Sequence, residues 1–332
     1  MKIGKKEIGP GNPVYIVAEA GINHNGDMSI AKKMIEKAAQ CGVDAIKFQT
    51  IISDDLFSPL LSPDWFDLCK KWAFTKKQHL ELMRHAKKIG IDFFSTPVGK
   101  KSAELLHDVD IKMIKISSGD ITNHELIQNI SKWKLPLVIS TGMTMISEIS
   151  QVVEILREQK SSFMLLHCNS SYPTSIEEAN LLTIGFLRDT FGVPIGYSDH
   201  VMGEEACLAA VALGACMIEK HFTLDKNMEG PDQKLSADPK EFASLVSKIR
   251  MVEKSLGSVR TGPTTSELKF KKLMRKSIGT SMDIRSGTKI KKSMLTTFRP
   301  GTGISPPFID KFVGMTIKKD VKKGTLINWD MF

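Results

Sequence analysis

VPIGYSDHVMGEEACLAAVALGACMIEKHFT, residues 193–223, reads as strand, helix, strand, with a histidine closing each strand. Two short apolar runs, Val193–His200 and Met217–Thr223, flank one segment of helical spacing at Gly203–Gly214. Parallel strands joined through a helix bring their C-terminal ends to the same rim. His200 and His221 are therefore expected to face one barrel mouth. Two imidazoles leave coordination positions open for substrate and water, which is half of a divalent-metal site. An enzyme is the leading expectation.

Six more strand-like runs precede this pair: Val14–Gly21, Val43–Thr50, Ile91–Pro97, Met113–Gly119, Pro136–Gly142 and Ser162–Pro173. Several begin almost continuously apolar, as strands buried on both faces do. Helical spacing fills the gaps. SIAKKMIEKAAQ (29–40) puts Ile30, Met34, Ile35 and Ala38 on one face, and KKQHLELMRHAKKIG (76–90) does so with Leu80, Met83 and Ala86. Further helices are predicted at Asn123–Trp133, Ile146–Arg157, Ile176–Thr190 and Pro239–Leu256. The alternation predicts an α/β protein built as a (β/α)8 barrel of the TIM type. No GxGxxG follows the first strand, which disfavours a doubly wound dinucleotide-binding sheet. Ile51–Phe74 is long for a βα connection and predicts a lid or an extra helix over the mouth.

Residues 257–266, GSVRTGPTTS, read as a linker. Beyond them DIRSGTKIKKSML (283–295) and DVKKGTLINWDMF (320–332) share an aspartate and a Gly-Thr at matching places. This internal repeat predicts a small pseudo-symmetric β-rich domain. The expected division is a barrel at 1–256, a linker at 257–277 and the small domain at 278–332.

The formal net charge is +9, yet residues 261–332 alone carry 15 Lys or Arg against 5 Asp or Glu. The basic character is thus local to the tail. No nucleic-acid motif accompanies it, so a solvated surface is the simpler reading and no nucleic-acid partner is expected. No run of apolar residues is long enough for a membrane helix, and MKIGKKEIGPGNP lacks a signal-peptide core, so a cytoplasmic protein without a membrane partner is expected. The five cysteines form no CxxC pair and read as reduced core residues; Cys168 alone lies beside candidate site residues.

Every strand end is polar. In order they offer Glu19; Lys47 and Gln49; Thr96; Lys115, Ser118 and Asp120; Ser140; Ser170 and Tyr172; Ser198 and Asp199; Glu219 and His221. Burying such groups unpaired costs roughly 1–3 kcal/mol each, so a full ring of them points to a site. Two lysines and several hydroxyls suit a phosphate or phosphorylated carboxylate. A Schiff base on Lys115 is the competing reading. Glu19, Asp120, Asp199 and Asp232 are the acids within reach for general acid–base work. His24, in NHNG, is a third imidazole candidate or a turn former.

These residues fall in ordered blocks: VAEAGINHNG (17–26), KFQT (47–50), FSTP (94–97), IKISSGD (114–120), STGM (140–143), LHCNSSYPT (166–174), GYSDH (196–200), EKHFT (219–223), GPDQK (230–234) and FRPGTG (298–303). The set resembles the sialic acid synthase family. That resemblance implies a barrel followed by an antifreeze-like (SAF) domain, in a domain-exchanged homodimer. It implies condensation of phosphoenolpyruvate with an N-acylmannosamine-type sugar, giving a nine-carbon 2-keto acid and phosphate. It implies that His200 and His221 bind a divalent metal, Mn2+ before Mg2+ or Co2+. Lys47, Thr96, Lys115, Ser118, Ser140, Ser170 and Ser198 would hold phosphoenolpyruvate. Gln49, Tyr172 and Arg299 would meet the sugar, with Glu19, Asp120 and Asp232 as acid–base candidates. Two departures stand out: Asn169-Ser170 follows Cys168 where some members read Thr-Asn, and Asp120 stands where some have Glu. N-acetylmannosamine and 2,4-diacetamido-2,4,6-trideoxymannose are the acceptors in view. A synthase using a sugar phosphate and a non-catalytic carbohydrate-binding protein are the alternatives.

Overall fold

The computed structural model of the chain describes residues 1–3 and 6–332. Eight parallel strands close a barrel: β1 Tyr15–Gly21, β2 Ala45–Thr50, β3 Asp92–Pro97, β4 Ile114–Ile116, β5 Leu137–Ser140, β6 Phe163–Cys168, β7 Ile195–Asp199 and β8 Met217–His221. β8 pairs back onto β1 through His221 opposite Glu19, which completes the ring. All seven residues of β1 and all six of β6 are buried, as a sheet covered by helices demands. A short antiparallel pair, Lys2–Ile3 with Lys6–Glu7, adds Ile3 to the barrel's core. All five cysteines are buried and unpaired. Among the described residues no helix is long and apolar enough to cross a membrane.

Local chemistry sets the helix starts. Asp27 accepts the backbone N–H groups of Ser29 and Ile30 to open Met28–Gln40. Thr75 and Gln78 cap each other's backbone at Lys76–Ile89, and Asp238 with Glu241 does the same for Pro239–Leu256. In Lys76–Ile89 the buried row is His79, Leu82 and Ala86, while Leu80 and Met83 are only half-buried. The expected face was one row off. Ala86 belongs to both rows, and apolar spacing alone does not separate them. The helix expected at Ile176–Thr190 is broken into a 3-10 turn, Ile176–Glu178, and a helix, Thr183–Phe191. Asn180 between them takes φ 44°, which no helix continues through. A helix at Lys100–Asp108, not predicted, supplies the crossover between β3 and β4.

The long β2 connection carries two helices, Ser53–Leu56 and Pro63–Trp72. The second supplies Cys69 and Trp72 to a small core with Ile22 and Ile51.

The chain divides into two units, Met1–Gly257 and Ser258–Phe332. The second unit opens with a helix, Thr265–Met274, inside the stretch read as linker. Its antiparallel strands β9 Ser277–Thr280 and β10 Leu295–Phe298 cover Ile278, Ile284, Ile317 and Ile327. The internal repeat is visible as a reciprocal clasp. Ile284 and Val321 exchange backbone hydrogen bonds, Asp283 accepts the Lys323 N–H, and Asp320 accepts the Ser286 N–H.

Candidate active site

The C-terminal strand ends surround a cavity of about 370 Å³. Strand alternation decides which side chains enter it. On β8, Glu219 and His221 point inward, and Lys220 between them points out toward the helices.

One side of the cavity is a cationic cradle. Lys47 lies 3.0 Å from Glu19 Oε2, 3.4 Å from Glu219 Oε1, and donates to Thr96 Oγ1 at 3.1 Å. Lys115 donates to the same Glu219 Oε1 at 2.8 Å, and the Ser198 hydroxyl joins them at 2.9 Å. One carboxylate oxygen thus gathers donors from β2, β4 and β7. Ser118 accepts the Gly142 N–H at 2.9 Å and sits 3.3 Å from Cys168 Sγ. Gly142 is required here: a Cβ would stand 2.4 Å from Ser170 Oγ and 3.0 Å from Cys168 Sγ. Ser140, Ser170, Ser117 and Cys168 complete this wall.

Aromatic rings line the same cavity. The His200 and His221 rings lie 5.4 Å apart, with Tyr172 4.1 Å from His200. Nδ1 of His200 bonds the Asn169 carbonyl at 2.5 Å, which leaves its other ring nitrogen for a ligand. Nδ1 of His221 is buried and has no hydrogen-bond partner among the described residues. Its nearest carboxylate is Asp232 Oδ2 at 3.8 Å, too long for a hydrogen bond. Burial lowers the basicity of both histidines, so neutral rings with available lone pairs prevail near pH 7.

The carboxylates differ sharply. Burial pushes Glu19 up to about 7, because dehydration outweighs the pull of Lys47, and Glu219 adds repulsion. Burial acts on Glu219 too, but Lys115 and Lys47 overcome it and hold Glu219 well below the usual carboxylate range. Gln49 approaches Glu19 Oε1 at 3.4 Å. Lys115 is lowered, by burial first.

Glu19, Lys47, Gln49, Thr96, Lys115, Ser118, Ser140, Ser170, Tyr172, Ser198, His200 and His221 all line the cavity. Asp120, Asp199, Asp232, Arg299 and His24 do not. Asp120 sits in a 3-10 turn and accepts the Ser117 hydroxyl at 2.6 Å. Asp232 stands behind His221, where burial raises its carboxyl. Arg299 belongs to the second unit, where its Nε donates to the Met274 carbonyl at 3.0 Å. His24 is a loop former: its Nδ1 accepts the Gly26 N–H at 3.0 Å and its ring stacks on Phe74.

Residues 34–261 match the NeuB family, and residues 275–332 match the SAF domain. The chain belongs to the NeuB family. An N,N'-diacetyllegionaminic acid synthase of Legionella pneumophila is 38% identical to this NeuB-family chain over 98% of its length and 97% of the relative's. An uncharacterised protein of Methanocaldococcus jannaschii is 42% identical over 99% of this chain and 98% of its own. The crystal structure of an N-acetylneuraminic acid synthetase from Leptospira borgpetersenii, in complex with citrate, superposes with a TM-score of 0.78. It is 40% identical and covers 81% of this chain and 94% of its own. The chain is an enzyme of the sialic acid synthase type.

In this NeuB-family barrel Glu219, which gathers both lysines, had no role assigned from the sequence. The signal was present: once His221 points inward, its i−2 neighbour on the same strand must as well.

Proposed function

We propose that the barrel condenses phosphoenolpyruvate with an N-acylmannosamine-type sugar, releasing phosphate and a nine-carbon 2-keto sugar acid. The observation that carries this reading is the convergence of Lys47, Lys115 and Ser198 on one oxygen of Glu219, with two imidazoles in the same cavity. A phosphorylated carboxylate suits the lysine side, where fixed charges in a dry site stabilise leaving phosphate. The neutral sugar suits the side of His200, His221, Gln49 and Tyr172. The Legionella relative's name favours 2,4-diacetamido-2,4,6-trideoxymannose as acceptor, with N-acetylmannosamine second.

His200 and His221 would hold a divalent ion, Mn2+ before Mg2+ or Co2+, with Asp232 the nearest carboxylate. The buried, unpartnered Nδ1 of His221 is what fits such an ion. Among the described residues no set of three histidine, cysteine or carboxylate side chains converges on one point, so substrate and water oxygens would complete its shell. When bound, the ion would supply Lewis acidity to the acceptor's carbonyl oxygen.

The chain's own residues do the rest. Lys47, Lys115, Thr96, Ser118, Ser140, Ser170 and Ser198 orient phosphoenolpyruvate so that its C3 faces the acceptor aldehyde. The C3–C1 bond forms, water adds at C2, and the C2–oxygen bond to phosphorus breaks to release phosphate. Glu19, poised near neutrality, takes the water's proton. Exchange of small domains in a homodimer, with Arg299 at the acceptor's N-acyl group, belongs to the same proposal; sedimentation should show a dimer.

Phosphate release and product mass are to be measured with phosphoenolpyruvate plus each of the two sugars and N-acetylmannosamine 6-phosphate. Turnover of either unphosphorylated sugar, lost on chelation or in His221→Ala and restored to the parent by Mn2+, is expected. Exclusive use of the phosphorylated sugar, or full turnover in metal-free protein, refutes the corresponding half.

A further inference from the structure

Two links stitch β2 to β3, one on each face of the sheet. On the inner face Lys47 Nζ donates to Thr96 Oγ1 at 3.1 Å. On the outer face Thr50 Oγ1 lies 2.7 Å from Ser95 Oγ. Strand alternation sets the two links back to back, with Ser95 the direct neighbour of Thr96. The outer link continues into the helix Lys76–Ile89. Thr50 Oγ1 is 2.9 Å from Nε2 of His79, and Nδ1 of His79 is 3.0 Å from the Thr75 carbonyl. His79, Thr50 and Ser95 are all buried, and none of them lines the cavity.

The protons of this chain of groups can be counted. The Thr75 carbonyl only accepts, so Nδ1 of His79 carries the hydrogen. Burial lowers the ring's basicity against the pull of that carbonyl, so near pH 7 the ring is neutral and Nε2 is a bare acceptor. It takes the one proton of the Thr50 hydroxyl. Thr50 then has nothing to give Ser95, and two bare oxygens at 2.7 Å would repel, so Ser95 donates to Thr50. The chain therefore runs one way, from Ser95 to Thr50 to His79 to Thr75. The Phe48 carbonyl, 2.9 Å from Ser95 Oγ, takes that proton only in the reversed chain. Reversal needs a second proton on the imidazole, which burial opposes.

We propose that His79 is a positioning residue for the lysine wall: as the Nδ1–H tautomer it fixes both hydroxyls in one direction and so holds Ser95, and with it Thr96, in place beside Lys47. It touches no substrate. This rests on the reading above that Lys47 and Thr96 meet phosphoenolpyruvate, where a small misplacement of a binding group is costly.

The first test is spectroscopic. In nitrogen-15 histidine spectra at pH 7, the signals absent from His79→Gln identify His79, and they should show a hydrogen on Nδ1 and none on Nε2. A hydrogen on Nε2 overturns the proposal. The second test is kinetic, on the Mn2+-loaded enzymes. His79→Phe keeps a ring of similar size and removes the acceptor. It is expected to raise the phosphoenolpyruvate KM on the order of 10-fold, with the acceptor KM within about twofold of the parent. His79→Gln, whose carboxamide oxygen can accept from Thr50, should recover most of that loss. Thr50→Val breaks the same bond from its other end, so it should match His79→Phe, and the double variant should be no worse than either. His85→Gln, on the same helix with its ring 3.0 Å from Glu36, should behave as the parent. Losses that multiply in the double variant, or a glutamine no better than the phenylalanine, overturn the proposal. If His79→Phe does not fold, Thr50→Val and Ser95→Ala replace it, and their losses should likewise fail to multiply. A parent that binds no phosphoenolpyruvate in calorimetry refutes the functional reading instead. The positioning is then judged by the Thr96 methyl resonance, which Thr50→Val should move and His85→Gln should not.

Discussion

Two buried lysine–carboxylate clusters sit one residue apart on β8, and they are built differently. Inside the mouth, Lys115 and Lys47 share Glu219 Oε1, while Glu219 Oε2 has no hydrogen-bond partner among the described residues. Outside the barrel, Lys220 pairs with Asp199 at 2.5 Å and donates to the Val201 carbonyl at 2.6 Å. Asp199 there is saturated: it also accepts from the Tyr197 hydroxyl, the Val201 N–H and Cys207 Sγ. Lys115 and Lys220 shift in opposite senses, while Lys47, beside Lys115, is raised by Glu19 and Glu219 against its own burial. Lys115 is lowered, by burial first and then by Lys47 among the like charges. Burial acts on Lys220 as well, but Cys207 and Asp199 raise it overall. In the proposed function, the cluster with spare bonding capacity is the one that receives a substrate, whereas the fully satisfied one holds two strands together.

The largest expected effect splits the two clusters. Lys115→Met should cut phosphate release about 10²- to 10³-fold while the melting temperature moves little, since Glu219 keeps Lys47 and Ser198. Lys220→Met leaves Asp199 buried without its cation and should cost about 3–5 kcal/mol of stability in denaturant titration, with kcat kept in the folded fraction. Equal loss of stability in both variants would erase the distinction.

Next in size is a pH effect within the mouth. Glu19 is raised by burial from 4.5 to about 7, so the folded chain holds its proton more tightly than the unfolded one. Its contribution therefore erodes stability as pH climbs across that window. Glu219, held low by Lys115 and Lys47 against burial, works the other way: it contributes stability above its ordinary value and loses it as pH falls through its folded pKa. Glu19→Gln should flatten the stability slope between about pH 4.5 and 7, and remove the limb near pH 7 from the kcat profile. A limb that survives the substitution assigns the titration to another group.

The smallest effect sharpens the outer cluster. Cys207→Ala removes one of four partners of Asp199 and should cost about 1 kcal/mol with unchanged kinetics. A kinetic effect from so enclosed a residue would show that the outer cluster steers His200 and His221 after all.

The strands were legible because barrel strands buried on both faces leave uninterrupted apolar runs ending in polar residues. Each predicted strand lies where one is found, within a few residues. Helix details were less so. Leu80 and Met83 carry the same apolar spacing as the row that is actually buried, and the break at Asn180 needs a backbone angle that composition does not reveal. Among site residues, those at strand ends could be read from order alone. Glu219 was named as a strand-end residue, yet its part as the oxygen joining two lysines depends on the distance between β2, β4 and β8.

The sequence by itself determined the barrel, the repeat in the small domain, and the inventory of lysines, hydroxyls and histidines at one rim. Period-two and helical patterns are properties of neighbouring residues, so one chain suffices to show them. Tertiary structure alone decided which carboxylate is acidic and which is near neutral, and that Asp199 and Lys220 face away from the site. Those outcomes depend on burial and on distances between residues remote in the chain, and both come into being only when the ring closes.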